Sequence, residues 1–501
     1  MKALHYSCQG ESHKATNKVC QDYSYSEIND RLAIAIVCDG HGGKRYFRSD
    51  VGAKYATEIT KECVTTFIEG VGDELFKGTA FTQVYALNTE IKNDNFAKKT
   101  KVDVAMRQLF SAIIYRWREK ILEHAKANPL SDAERSSLDP RYVTDFENKV
   151  SLEKTYGCTL MCYAQTPDYW LAFHVGDGKC IAFDHEGNWS EPIPWDERCF
   201  LNKTTSLCDS EALDEFRYCY QGNGEFPAIV FLGSDGIDDS FGETTNMVNF
   251  YAQVAKMLAK EPFEDCINSI QTTLPELSAR GSQDDMSVAC VYDEVLLGVV
   301  SKSITEWQQR NVLETIRKLN ERIVKFSDEY EQYAKRGNLS DKEKIDKQNT
   351  LNALKRAFEF KREQAKRYNR FAQELYGDEY EPFADDIGLA EMKILEAVAS
   401  SDLSPEETGQ SVIAPEQEVK SEDTQLQGVT EPNTTEADVV TQQEVAMEND
   451  DVDSETSPEM EAAVAVVDET GDEVKNNVQN EAEQLDSSVT EAKTDSEDEQ
   501  Q

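Results

Sequence analysis

Four short apolar runs in the N-terminal part of the chain each abut a turn that carries aspartate, and this narrows the fold more than any other feature. Leu32–Cys38 runs into Asp39-Gly40-His41-Gly42-Gly43, and Tyr169–Val175 ends in Gly176-Asp177-Gly178. Ala228–Gly233 passes through Ser234 into Asp235-Gly236-Ile237-Asp238-Asp239. Gly281-Ser282-Gln283-Asp284-Asp285 leads directly into Met286–Tyr292. The first and third runs are continuously apolar, which fits strands covered on both faces. Helical patterns separate them. From Lys44 to Glu69 the positions Phe47, Val51, Tyr55, Ile59, Cys63 and Phe67 recur every fourth residue, with Gly70 as a stop. Met247, Phe250, Tyr251, Val254, Met257 and Leu258 form a second stripe, and residues 80–150 read as a helical elaboration. Strands alternating with helices predict a mixed α/β (α+β) domain over residues 1–298.

With 501 residues, more than one structural region is expected. Residues 299–376 carry Trp307, Val312, Ile316, Leu319, Ile323 and Phe326 at helical spacing, then a break at Arg336-Gly337-Asn338-Leu339. Ser340 and Glu343 then have the form of a capping box, and Leu351, Leu354, Phe358, Ala365 and Phe371 follow. The pattern predicts a helical hairpin or coiled coil, net basic, with 18 Lys/Arg against 12 Asp/Glu. It is a candidate surface for a helix-mediated protein partner, although a solvated helix pair packed on the domain is the plainer reading. Residues 377–400 read as an acidic linker, open to helix, and 401–501 as an acidic tail without Phe, Trp, Tyr or Cys. That tail holds 30 Asp/Glu against three Lys, so it is expected to be disordered.

The net charge of -43 excludes a general affinity for nucleic acid or for an anionic membrane surface. All 12 Cys fall between Cys8 and Cys290 without a C-x-x-C pair, which reads as thiols of a reducing compartment. No apolar signal region opens the chain, and no run approaches the roughly 18 apolar residues of a membrane span. A cytoplasmic protein is expected.

If the aspartate turns converge, they make a site for hard divalent cations, which take oxygen ligands and leave room for water. Glycine beside the aspartates would let backbone carbonyls approach an ion. Carboxylates packed this way repel one another unless cations neutralise them. One Asp-Gly turn means only a turn; the ordered set of four is what carries the signal.

Val37-Cys38-Asp39-Gly40-His41-Gly42-Gly43, Tyr156-Gly157-Cys158-Thr159-Leu160, Val175-Gly176-Asp177-Gly178, Leu232 to Asp239 and Ser282 to Val288 resemble the successive motifs of the metal-dependent serine/threonine protein phosphatases of type 2C. The resemblance covers residues 8–295 in the family's order. It implies a four-layer sandwich of two central antiparallel β-sheets flanked by α-helices. It also implies Mg²⁺ or Mn²⁺, two ions with a third more weakly held, and a phosphorylated protein as substrate. By position, Asp39, Asp235, Asp284 and the Gly40 carbonyl match metal ligands. Asp22 matches an acidic residue that holds water on the metal, Asp177 and Asp239 match residues of the third ion, and His41 matches a general acid. The family's phosphate-binding Arg has no counterpart before Arg31; His13, Lys14 and Lys18 are the nearby cations, of which His13 and Lys18 are the candidates for that role, and Gln21 stands where Glu is frequent. The resemblance therefore implies metal-dependent hydrolysis of phosphoserine or phosphothreonine. The competing reading is a catalytically weak or inactive relative that binds phosphoproteins or scaffolds an assembly through its hairpin.

Overall fold

A computed structural model describes residues 1–71, 73–87, 100–199, 203–337, 340–377 and 384–399. Eleven strands occur among them: β1 (Lys2–Cys8), β2 (Tyr23–Ile28), β3 (Ala33–Cys38), β4 (Thr82–Val84), β5 (Leu160–Gln165), β6 (Trp170–Val175), β7 (Lys179–Phe183), β8 (Trp189–Ser190), β9 (Arg217–Gln221), β10 (Ile229–Gly233) and β11 (Met286–Tyr292). They form two antiparallel sheets, in the orders β1-β11-β10-β7-β8 and β2-β3-β5-β6-β9-β4.

The pleat explains why the two sheets stack. In β3, Ala33, Ala35 and Val37 point into the layer between the sheets, while Ile34, Ile36 and Cys38 point out to the helices. β11 divides in the same way, with Ala289 and Val291 inward and Val288, Cys290 and Tyr292 outward. Every residue of both strands is buried, so each outward Ile contributes roughly 1.5–3 kcal/mol of apolar burial.

Seven helices longer than ten residues occur among the described residues. α1 (Ser49–Val71) and α2 (Lys101–Ala127) cover the β2–β4 sheet; α3 (Thr244–Lys260), α4 (Phe263–Arg280) and the first turns of α5 (Glu294–Ala334) cover the other. The four-layer sandwich is therefore observed. α2 begins at a capping box between Thr100 and Asp103 and buries Met106, Phe110, Ile113 and Trp117.

Two sequence expectations differ from what is seen. The helix expected from Lys44 begins at Ser49, and its centre of contact is Gly52, Ala53, Ala56, Thr57 and Thr60, with Phe47, Val51, Tyr55 and Phe67 only half-buried at the edge. Small residues let the helix lie close on its neighbours: a Cβ on Gly52 would fall 1.9 Å from Tyr156 O. The stretch expected to be helical from 80 opens instead with the edge strand β4, paired to β9. Ala384–Ala399, in the segment read as a linker open to helix, is a helix, α7.

α5 is capped by Asp293, whose carboxylate accepts from Val295 N and Leu296 N, and it runs for 41 residues. The 298/299 division expected from sequence falls inside it. Leu297, Val300 and Ile304 belong to the domain's core, whereas Val312, Ile316 and Ile323 pack with Leu351, Phe358 and Phe371 of α6 (Asp341–Tyr376). The two helices are antiparallel: Gln309 Nε2 donates to Leu375 O at 2.9 Å and Lys347 Nζ to Ala334 O at 2.6 Å. α7 joins them through Arg362–Glu391 (2.9 Å), with Ala390 and Ile394 in the shared core. The 401–501 tail lies outside the described residues.

Candidate active site

The antiparallel register gathers the aspartate turns at one end of the sandwich. Tyr23 pairs with Cys38, which sets Asp22 beside Asp39. Leu160 pairs with Val175, so Thr159 and the Gly176-Asp177 turn share an edge. Gly233 pairs with Lys179 on one side and Val288 on the other, bringing Asp235 next to the Asp177 turn and to the entry of β11. Asp22, Asp39, Gly40, His41, Asp177, Asp235 and Asp284 line one cavity of about 660 Å³. Asp39 and Asp177 follow strands of one sheet, Asp235 and Asp284 flank strands of the other.

The glycines of these turns act on the protein's own backbone. A Cβ on Gly40 would meet Gln21 O at 2.5 Å, on Gly178 Gly233 O at 2.5 Å, and on Gly236 Asp285 O at 2.1 Å. Gly176 has φ +132°, and a Cβ there would strike Thr159. Each glycine lets one aspartate turn press against the next. That close approach is what concentrates the carboxylates.

Concentration has an electrostatic cost. Burial first, then the neighbouring aspartates, raises Asp22, Asp39 and Asp235 well above the ordinary carboxylate range. Burial also raises Asp177; Asp284, more exposed at the rim, is raised too, by desolvation within the cluster and by Asp285. Asp22 Oδ2 and Asp177 Oδ1 are buried and hydrogen-bond to no described residue. Orphaned carboxylate oxygens facing an all-oxygen cluster fit a hard dication, which would hold the groups ionised and replace the missing partners. Asp239 is the exception among the predicted metal residues: it is exposed and does not line the cavity. Its neighbour Asp238 is largely buried, and that burial pushes it up to about 6.

His41 is held from both sides. Its backbone N–H donates to Gly157 O at 3.1 Å, and its carbonyl accepts from Gln21 Nε2 (3.1 Å) and Ser49 Oγ (2.9 Å). The Gln21 amide can donate here, which a carboxylate could not do. The ring packs edge-on against Tyr46 and places Nε2 2.7 Å from Ser206 Oγ. Burial lowers its pKa to about 4.

A model of the family described as Protein phosphatase 2C matches residues 9–275, more than half of the chain. The chain belongs to the protein phosphatase 2C family. No curated protein sequence matches it. Among solved structures it is similar to a bacterial serine phosphatase (13% identity, 58% of this chain and 97% of that one, TM-score 0.34). The serine/threonine phosphatase Stp1 from Staphylococcus aureus gives 14% identity over 59% of this chain and 95% of that one, TM-score 0.34. A sex determining protein of C. elegans gives 14% identity over 60% and 67%, TM-score 0.35.

In this phosphatase-family chain the side chains suggested for phosphate binding lie against other groups. His13 lines the cavity, but its Nδ1 stands 2.9 Å from Asp285 Oδ1. Lys18 is exposed and donates from Nζ to Gly42 O at 3.3 Å, over the glycine loop. Lys203 is the one Lys or Arg among the described residues that line the cavity. Nothing in its sequence context marks it. Asp285 also had no assigned role. It is buried and accepts from Gly10 N (2.7 Å) and Gln21 N (2.6 Å), tying the N-terminal segment to the entry of β11. Its only sequence signal is its place after Asp284 at a strand start. No helix of the described residues is long and apolar enough to cross a membrane.

Proposed function

We propose that this protein hydrolyses phosphoserine or phosphothreonine in proteins with the help of divalent cations. The observation that supports it is the convergence of Asp22, Asp39, Asp177, Asp235 and Asp284 with His41 on one cavity. Asp39, Asp235, Asp284 and the Gly40 carbonyl would hold two ions, with Asp22 and Asp177 bordering them; Mg²⁺ or Mn²⁺ suits this oxygen donor set. Bound there, the ions would make a water nucleophilic near neutral pH and screen the phosphoryl charge. In the reaction a water oxygen bonds to phosphorus while the bond from phosphorus to the serine or threonine oxygen breaks. That alkoxide leaves poorly, and His41 is the proton donor on the cavity wall. The dianionic phosphoryl group of a substrate favours the charged ring, opposing the burial that lowers its pKa.

The reading is tested by hydrolysis of a phosphoserine peptide with added Mn²⁺, in parent protein and Asp235→Asn, beside Mn²⁺ titration calorimetry of both. Metal-dependent turnover in the parent, lost in the variant, is expected. A parent that binds Mn²⁺ yet turns over nothing would move the assignment to a non-catalytic phosphoprotein binder.

A further inference from the structure

Ser206 lies on the segment before Ala212–Glu215, outside every motif that suggested the site. It is buried, lines the cavity, and brings its hydroxyl within 2.7 Å of His41 Nε2. A serine hydroxyl has one proton to give. Cys158 O at 2.9 Å and Cys208 Sγ at 3.1 Å both face it as acceptors, and the carbonyl, the stronger of the two, takes it. Cys208 N donates to the same oxygen at 3.3 Å. With the hydroxyl hydrogen on Cys158 O, the ring is the donor in the contact with Ser206, and the hydrogen of neutral His41 sits on Nε2. Among the described residues Nδ1 has no hydrogen-bond partner, so it is the nitrogen left to the cavity.

The loop bearing Ser206 is itself fixed. Ser206 N donates to Asp209 Oδ2 at 2.9 Å, and Asp209 Oδ1 pairs with Lys154 Nζ at 2.8 Å. Arg118 of α2 donates to Asp209 O at 3.2 Å. A buried hydroxyl, a carbonyl acceptor and an ion pair thus hold one ring nitrogen, as an orienting group holds the base in other acid–base sites.

We propose that Ser206 is the positioning residue for His41, fixing the hydrogen on Nε2 so that Nδ1 carries the proton delivered to the leaving oxygen. The proposal rests on the phosphatase reading. When the phosphorus–oxygen bond to the serine or threonine breaks, the electron pair stays on the leaving oxygen. That oxygen takes the proton from Nδ1, and the ring returns to the neutral form with hydrogen on Nε2. Without the Ser206 hydroxyl the neutral ring is free to exchange tautomers and to turn, so the donor is misplaced in part of the population.

The test compares the full-length parent, Ser206→Ala and Ser206→Thr, loaded with Mn²⁺, on a phosphoserine peptide and on p-nitrophenyl phosphate, whose leaving group needs no proton. The loss of kcat in Ser206→Ala is expected to be at least about tenfold greater for the peptide, with Ser206→Thr recovering most of it. Equal losses on both substrates would overturn the role. In the metal-free protein, ring ¹⁵N shifts of labelled histidine are expected to show the Nε2–H form at His41 in the parent and a tautomer mixture in Ser206→Ala. Ring shifts unchanged by Ser206→Ala, in a parent that is active, sink Ser206 alone. A parent inactive on both substrates sinks the phosphatase reading and this role with it.

Discussion

The carboxyl groups of Asp39 and Asp235, carried by strands of different sheets, lie within hydrogen-bonding reach of each other. Two sheets meet here through like charge: burial pushes both aspartates towards the protonated form, Asp22 adds to this at Asp39, and Asp39 adds to it at Asp235. A group whose pKa is higher folded than unfolded binds its proton more tightly in the native state. Above the unfolded value of about 3.9, stability therefore falls as pH rises, until the raised folded pKa is passed. The buried His41 and His174, whose pKa values are lowered, work in the opposite sense below about 6.5. The cluster is thus best read as a difference. The rise in Tm on saturation with Mn²⁺ is expected to grow from pH 5 to pH 8, measured by calorimetry. A constant rise across that range would show that the carboxylates are not the groups the ion relieves.

The same pair predicts a trade between stability and activity. Asp235→Asn removes one of the mutually repelling charges, so the metal-free protein at pH 8 should gain about 1–3 kcal/mol. Metal-dependent turnover should fall by about 10²–10³, as when an electrostatic element is lost from a reaction centre. Urea unfolding with chelator, beside a phosphopeptide assay, checks both. A metal-free Asp235→Asn protein less stable than its parent would contradict the account of the cluster.

Much of this was legible from the residues. The continuous apolar runs of β3 and β10 called for strands covered on both faces, and Ser340 with Glu343 announced the start of α6. The aspartate turns could be named as a set because each sits at a strand edge. What failed did so for physical reasons. α1 buries a face of small residues, and Gly52 and Ala53 carry no hydrophobic signal, although close approach to the sheet depends on them. Ser206, Lys203 and Asp285 reach the site only through the tertiary fold, which leaves no period or spacing in the sequence.

Gly236 tests the close contact between the Asp235 turn and the entry of β11. An added Cβ would lie 2.1 Å from Asp285 O. Asp285, at the entry of β11, is itself tied by its carboxylate to Gly10 N and Gln21 N, so that carbonyl has little room to turn away. Gly236→Ala should cost about 1–3 kcal/mol by overpacking. It should also weaken Mn²⁺ binding, because Asp284 must move with Asp285. Titration calorimetry that gives the parent's affinity in a destabilised Gly236→Ala protein would show that the two turns are not coupled.

Behind Asp177 the chain buries a cation. Arg217 donates to Gly176 O at 2.8 Å and pairs with Asp196 at 3.3 Å, with both side chains about 1% exposed. Truncating one partner of such a pair leaves the other charge in a dry interior. Arg217→Met is expected to lose roughly 3 kcal/mol in urea unfolding. Arg198→Met breaks a pair to the same Asp196 at 2.6 Å, but from a side chain 23% exposed, and should lose less. The reverse order would mean that burial does not set the cost here.

Lys203 is the candidate for the place of the missing arginine. It is the one Lys or Arg among the described residues lining the cavity, while His13 is engaged with Asp285 and Lys18 with Gly42. A lysine on a flexible stem attracts phosphate as a point charge, without the fixed fork of a guanidinium. Its contribution should therefore be modest, near 1 kcal/mol, and screened by salt. Lys203→Ala is expected to raise KM for a phosphopeptide about fivefold at low ionic strength, with kcat changed less than about twofold, and Lys203→Arg should restore KM. At roughly 0.5 M salt, where the screening length is a few ångström, the difference between Lys203→Ala and parent should shrink. An unchanged KM at low salt would assign phosphate attraction to the ions alone.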